Sequence, residues 1–238
     1  MKNILFSFTN KTNRLIYFFL VVISLMIFLP RRICALPGAV AFVLKVHGDV
    51  RVQVASQGRW QTLKSGDRLK SGDRIQTGSN SLVSIVFTDD KSMMKIRSYS
   101  DVTIKAKQNE KKFSKRILAQ VGELWFSIRK AHSPFTVETP TGIAAVKGTE
   151  FYTIVDQQGN TTVIGIEGIV ELMTKLGKTM LRAGNTGTFG ANQKPDVHKS
   201  DPKEVPDWGR NESGGDTLEL EFRNKNGKKK MLRIIFEE

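Results

Sequence analysis

Cysteine and histidine are almost absent: one Cys and three His in 238 residues. The single thiol, Cys34, leaves the rest of the chain without a disulfide in any redox compartment. His47, His132 and His198 lie far apart, with no cysteine at metal-ligand spacing, so no zinc site is expected. Gly-x-Ser-x-Gly elbows, phosphate-cradling loops and dinucleotide fingerprints are also missing. So is a sustained apolar stripe of helical period. The nearest, Phe113, Ile117, Leu118 and Val121, suits a strand equally and runs into Gly122. Without helical crossovers a doubly wound sheet is excluded.

Long apolar runs are scarce too. Leu15–Leu29 is fifteen residues without a charge, ended by Pro30 and preceded by Lys2, Lys11 and Arg14. A membrane span needs ~20 apolar residues, so residues 1–35 read as a signal peptide cleaved after Ala35, or as an uncleaved anchor favoured by the Arg31-Arg32 pair. The formal charge is +14. Loss of residues 1–35 removes five cations and leaves 32 basic against 23 acidic residues. Such a balance usually points to nucleic acid. Export removes that partner and leaves anionic lipid or glycan, or a merely solubilising surface. The membrane is contacted only through an uncleaved N-terminus.

What the chain has in quantity is period-two alternation. Leu44, Val46, Val50, Val52 and Val54 share one face, and Lys45, His47, Asp49, Arg51 and Gln53 the other. Short alternating runs recur up to residue 172 with turn residues between them. This predicts an all-β fold: an elongated sandwich or a solenoid-like stack of short strands, with helix confined to the N-terminal signal or anchor. The β domain is expected over residues 41–190, a linker or extended arm over 191–215, and a terminal hairpin over 216–238. A local echo, Lys64-Ser65-Gly66-Asp67-Arg68 then Lys70-Ser71-Gly72-Asp73-Arg74, predicts two successive tight turns.

Gly66-Asp67, Gly72-Asp73 and Thr77-Gly78, followed by an apolar strand, resemble the opening of the FecR domain. In order, Gly122-Glu123-Leu124-Trp125 looks like its central Gly-led strand, and Phe135 to Pro140 like the segment after it. Ala145 to Phe151, with Gly148, Thr149 and Phe151, is similar to its Gly-Thr-x-Phe element, and Glu167-Gly168-Ile169-Val170 to its closing Glu-Gly-x-Val. The resemblance covers about residues 44 to 190. It implies an extracytoplasmic sensing domain without catalysis or cofactor. The best-known members add a cytoplasmic anti-sigma region, whereas only about 14 residues precede the apolar run here, too few to fold around a sigma factor. Signalling would therefore pass through another protein. The glycines and aspartates of these motifs read as fold determinants, since glycine supplies turns with positive φ and aspartate caps them.

Asp89-Asp90 and Glu237-Glu238 are paired carboxylates, read as solvated turn and terminus rather than as an acid-base pair. Trp60, Trp125 and Trp208 could stack sugars. Trp125 alternates out of phase with Leu124, Phe126 and Ile128, yet its size favours the core. Two functions remain open: a module binding an envelope protein, or one holding peptidoglycan or an anionic envelope polysaccharide. Both place the protein in the periplasm or on the outer surface. Fractionation of expressing cells is expected to recover it in the envelope fractions, and full-length chain soluble in the cytoplasm would rule export out.

Overall fold

The computed structural model describes residues 38–236 apart from 56, 110–111, 130–133, 207, 209–215 and 224–228. The expectations for residues 1–35 and for Glu237-Glu238 lie outside these residues. Every regular element among them is a strand. The first eight are β1 (Ala41–His47), β2 (Val50–Gln53), β3 (Trp60–Thr62), β4 (Arg68–Leu69), β5 (Arg74–Thr77), β6 (Leu82–Phe87), β7 (Met93–Ile96) and β8 (Asp101–Asn109). The long β9 (Lys112–Ile128) precedes β10 (Phe135–Glu138), β11 (Ile143–Val146), β12 (Thr149–Val155) and β13 (Thr161–Glu167). There follow β14 (Ile169–Thr174), β15 (Gly177–Arg182), β16 (Asn185–Phe189) and β17 (Asp196–Lys199). A separate hairpin joins β18 (Asp216–Arg223) to β19 (Lys229–Phe236), with Asp216 opposite Phe236.

Hydrogen bonds link the first seventeen strands into one mixed sheet, and β9 divides it into two ladders. The first runs β4-β1-β6-β7-β9-β12-β13-β16-β17, all antiparallel. The second runs β3-β2-β5-β8-β9-β10-β11-β14-β15, antiparallel except for β9 with β10. Apolar side chains of both ladders meet in one buried cluster, among them Val43, Ile85 and Leu124 of the first and Val52, Ile75 and Ile117 of the second. The architecture is thus a sandwich, and the period-two pattern is its cause: one face of each strand is buried and the other is wet. At its centre Phe126 stacks on Phe151 with ring centroids 4.9 Å apart and meets Phe135 edge-on at 5.7 Å.

β9 serves both ladders by changing phase. Lys115, Ile117 and Ala119 point inward in its first half, and Leu124, Phe126 and Ile128 in its second. Asp101 pairs with Val121 and Val102 with Ala119, so one residue bulges out. Gly122 completes the switch at φ +119°. A Cβ there would lie 2.0 Å from Ser100 Oγ. Two further crossings stack on each other. Gly148 (φ +72°) takes the chain from β11 in the second ladder to β12 in the first, and Gly168 (φ +79°) takes β13 back to β14. A Cβ on Gly168 would meet the Gly148 carbonyl oxygen at 2.6 Å.

The repeated Lys-Ser-Gly-Asp-Arg sequence folds twice into one turn. Lys64 N donates to Asp67 Oδ2 and Lys70 N to Asp73 Oδ2, both at 2.8 Å. Only Asp73 is buried, where it also accepts from Ala55 N at 3.1 Å.

The close approach at Gly122 makes it the position most sensitive to a single methyl group. Gly122→Ala combines a left-handed backbone with a clash against Ser100, and is expected to cost at least ~2 kcal/mol. That would lower the melting temperature by roughly 5 °C or more. An unchanged melt would show that the phase switch does not need a glycine.

Candidate functional site

The outer face of the first ladder carries a groove of about 1550 Å³. Its floor follows from the β9 phase. Leu124 and Phe126 fill the core, so Trp125 between them is turned outward and half-buried, not packed into the core as its size suggested. Register then fixes its neighbours: Lys95 of β7 on one side and Tyr152 of β12 on the other. Lys95 Nζ lies 5.0 Å from the centre of the Trp125 ring, and Trp125 Nε1 donates to Glu150 Oε1 at 3.1 Å. One row further, Arg97 and Glu123 approach to 3.6 Å. Aromatic faces and charges of both signs therefore alternate along the floor.

One wall comes from the segment after β17. Pro202, Val205, Pro206 and Trp208 line the groove. Glu204 anchors the segment: its Oε2 accepts from Thr186 Oγ1 at 2.8 Å and its Oε1 lies 3.1 Å from His198 Nε2. Hydrogen bonds from Thr186 and His198 hold the Glu204 carboxyl below the usual range. Trp208 packs on Tyr152, with centroids 5.6 Å apart, and under Arg97 at 5.3 Å. Its Nε1 is buried and meets no hydrogen-bond partner among the described residues. At the rim, Tyr99 is 70% exposed with φ +56°, a backbone conformation that side chains other than glycine seldom adopt.

A second polar cluster lies inside the molecule. Lys115 of β9 is fully buried, and its Nζ donates to Asp89 Oδ1 and Oδ2 at 2.9 and 2.8 Å and also to Asp90. The rings of Phe87 and Phe135 flank the ammonium at 5.2 and 5.8 Å. Asp89-Asp90 is thus no solvated turn: it is the counter-charge of a buried lysine, which its strand alternation alone did not reveal. Burial would raise the Asp90 carboxyl, but hydrogen bonds from Lys115 and Ser92 and the lysine charge outweigh it and hold it low. Asp101 behaves likewise, with burial opposed by hydrogen bonds from Arg74 and Gln76.

Motif residues singled out in the sequence are spread through the framework. Gly66 N donates to the Val43 carbonyl, Gly72 N to that of Ile104 and Gly78 N to that of Asp49, tying turns to neighbouring strands. Thr77 is buried, donating to the Arg97 carbonyl at 2.5 Å and accepting from Ser100 N at 2.9 Å. Pro140 packs on the turn at Gly159. Thr149 is buried beside Gly148 and Gly168, Phe151 stacks in the core, and Glu167 is exposed opposite Glu150. Of the motif segments, Gly122, Glu123 and Trp125 of the Gly-led strand and Glu150 of the Gly-Thr-x-Phe element border the groove. The groove residues Lys95, Arg97 and Tyr152 carry no motif, and only the period-two pattern around Trp125 could have flagged them. Among the described residues no three His, Cys, Asp or Glu side chains converge as a metal site.

A family model described as FecR protein matches residues 73–171. Among solved structures, a candidate anti-sigma factor from Parabacteroides distasonis ATCC 8503 is 16% identical, over 65% of this chain and 70% of its own, with a TM-score of 0.49. Another structure of a candidate anti-sigma factor from that organism gives 18% identity over 58% and 59%, with a TM-score of 0.37. A cell surface anchoring domain is 34% identical over 27% of this chain and 83% of its own, with a TM-score of 0.26. No curated protein matches the chain.

The buried lysine gives a stability test. Lys115→Ala removes the buried counter-charge of Asp89 and Asp90, whose side chains are 20% and 12% exposed, and is expected to cost ~3 kcal/mol at neutral pH. Because the native Asp90 and Asp101 carboxyls are held low, their contribution is complete above the unfolded value of about 3.9 and is lost as pH falls through the native one. Melting temperature should fall steeply with acid below about pH 4, and less steeply in Asp90→Asn. Equal acid slopes in wild type and Asp90→Asn would contradict this account.

Proposed function

Because residues 73–171 form a FecR domain, we propose that this protein is an exported, non-enzymatic sensing module of the cell envelope that docks a protein partner on its β14–β15 hairpin. The FecR match supports a signalling role. The observation that carries the docking surface is a set of exposed apolar side chains where the second ladder ends. Ile169 of β14 and Met180 of β15 point outward as diagonal neighbours, 45% and 54% exposed, and Leu176 caps the turn between them at 49%. Such a cluster on a soluble surface marks an interaction site more often than isolated apolar side chains do.

Register explains why these side chains have nowhere else to go. Val170, Leu172 and Leu181 occupy the buried side of the hairpin, so the alternate positions must face out. β15 pairs in the ladder with β14 alone, and Arg182 opposite Ile169 and Glu171 opposite Met180 interleave the face with charge, Glu171 also meeting Lys178 at 3.1 Å. Exposed apolar anchors among charged side chains suit a protein interface, which taken whole is about as apolar as the rest of a protein surface.

The test is capture from envelope extract with the processed chain as bait. Replacing both anchors, Ile169→Asp with Met180→Asp, is expected to reduce capture of the specific partner at least ~10-fold, equivalent to ~1.4 kcal/mol. Melting should change little, because the positions are exposed. If the double variant captures the same protein as well as wild type does, the hairpin is not the docking surface.

A further inference from the structure

We propose that the groove over β7, β9 and β12 is a glycan-binding site, holding a β-linked amino-sugar chain against Trp125, Trp208 and Tyr99. This site is separate from the hairpin and does not depend on it. Its floor offers side chains only, since β7, β9 and β12 each have a ladder partner on both sides. A peptide seeking to add a strand finds no free backbone there. What the groove does present is flat aromatic surface interleaved with fixed polar groups. That is the complement of a pyranose ring, which has an apolar C–H face and a rim of hydroxyls.

Three features favour this occupant. Lys95 and Arg97 face Glu123, Glu150 and Asp156 in the groove lining, so the groove is not basic despite the basic character of the whole chain. Asn80, Gln157 and Gln158 add uncharged donors and acceptors suited to hydroxyl and acetamido groups. The third is the state of the aromatics. Trp208 has a buried Nε1 that meets no acceptor among the described residues, and Tyr99 is held outward on a strained backbone. A ligand hydroxyl that accepts from the Trp208 indole would supply the acceptor that the described residues do not.

The probes are chitohexaose, followed by tryptophan fluorescence, and purified peptidoglycan sacculi, followed by co-sedimentation with the whole processed chain. Saturable binding to at least one probe is expected, persisting in high salt where screened attraction to a basic surface would fade. Trp125→Ala and Trp208→Ala should each weaken it roughly tenfold or more, with partial recovery in Trp125→Tyr. Trp60→Ala should bind as wild type, because Trp60 lies on β3 in the other ladder. Melting curves identify any variant that fails to fold, and Trp208→Ala, outside the core cluster, serves if Trp125→Ala does not. No binding to either probe, binding lost in salt, or binding indifferent to both tryptophans would each overturn the proposal. So would tryptophan variants that lose only a captured protein. Ile169→Asp with Met180→Asp should leave glycan binding intact, so failure here and failure of the hairpin reading are distinguishable.

Discussion

The fold hangs on one strand that belongs to two layers. β9 pairs with β8 and β10 in its first half and with β7 and β12 in its second. A strand with strict alternation cannot keep its apolar side chains in a shared core while passing from one layer to the facing one, because the inward direction reverses. The bulge before Gly122 and its left-handed backbone supply the single-residue phase shift that resolves this conflict. The close approach of Gly122 to Ser100 leaves no space for a side chain.

The same strand brings a charge into the core. Lys115 faces inward in the half of β9 that pairs in parallel with β10, where an unpaired ammonium would be far too costly. Asp89 and Asp90, from the turn between β6 and β7, neutralise it while the Phe87 and Phe135 rings shield it. This triad ties the turn of one ladder to the opposite half of β9. Replacing it by apolar residues could leave stability unchanged, since buried ion pairs offset their desolvation only narrowly. Their geometric effect is to fix how the two layers register.

The groove is a consequence of that arrangement. Once Leu124 and Phe126 are committed inward, Trp125 must face out, and the ladder places Lys95 and Tyr152 beside it. The amphipathic face thus arises from register as much as from residue choice. The hairpin face of Ile169 and Met180 has the same origin, as the outward half of strands whose inward half fills the core.

By itself the sequence determined the all-β class, the alternation and the FecR resemblance, because strand period, turn residues and glycine spacing are local properties of a chain. Two Lys-Ser-Gly-Asp-Arg segments fold into the same turn for that reason. Tertiary structure alone decided which strands share a ladder, that Asp89-Asp90 answers a buried Lys115, that Trp125 lies outside the core, and that Pro202, Val205, Pro206 and Trp208 wall the groove. Those outcomes rest on pairings between residues 25 or more positions apart, such as Lys115 with Asp90 and Trp125 with Glu150. Alternation says that a side chain has two faces to choose from, and only the partner across the ladder decides which one is buried.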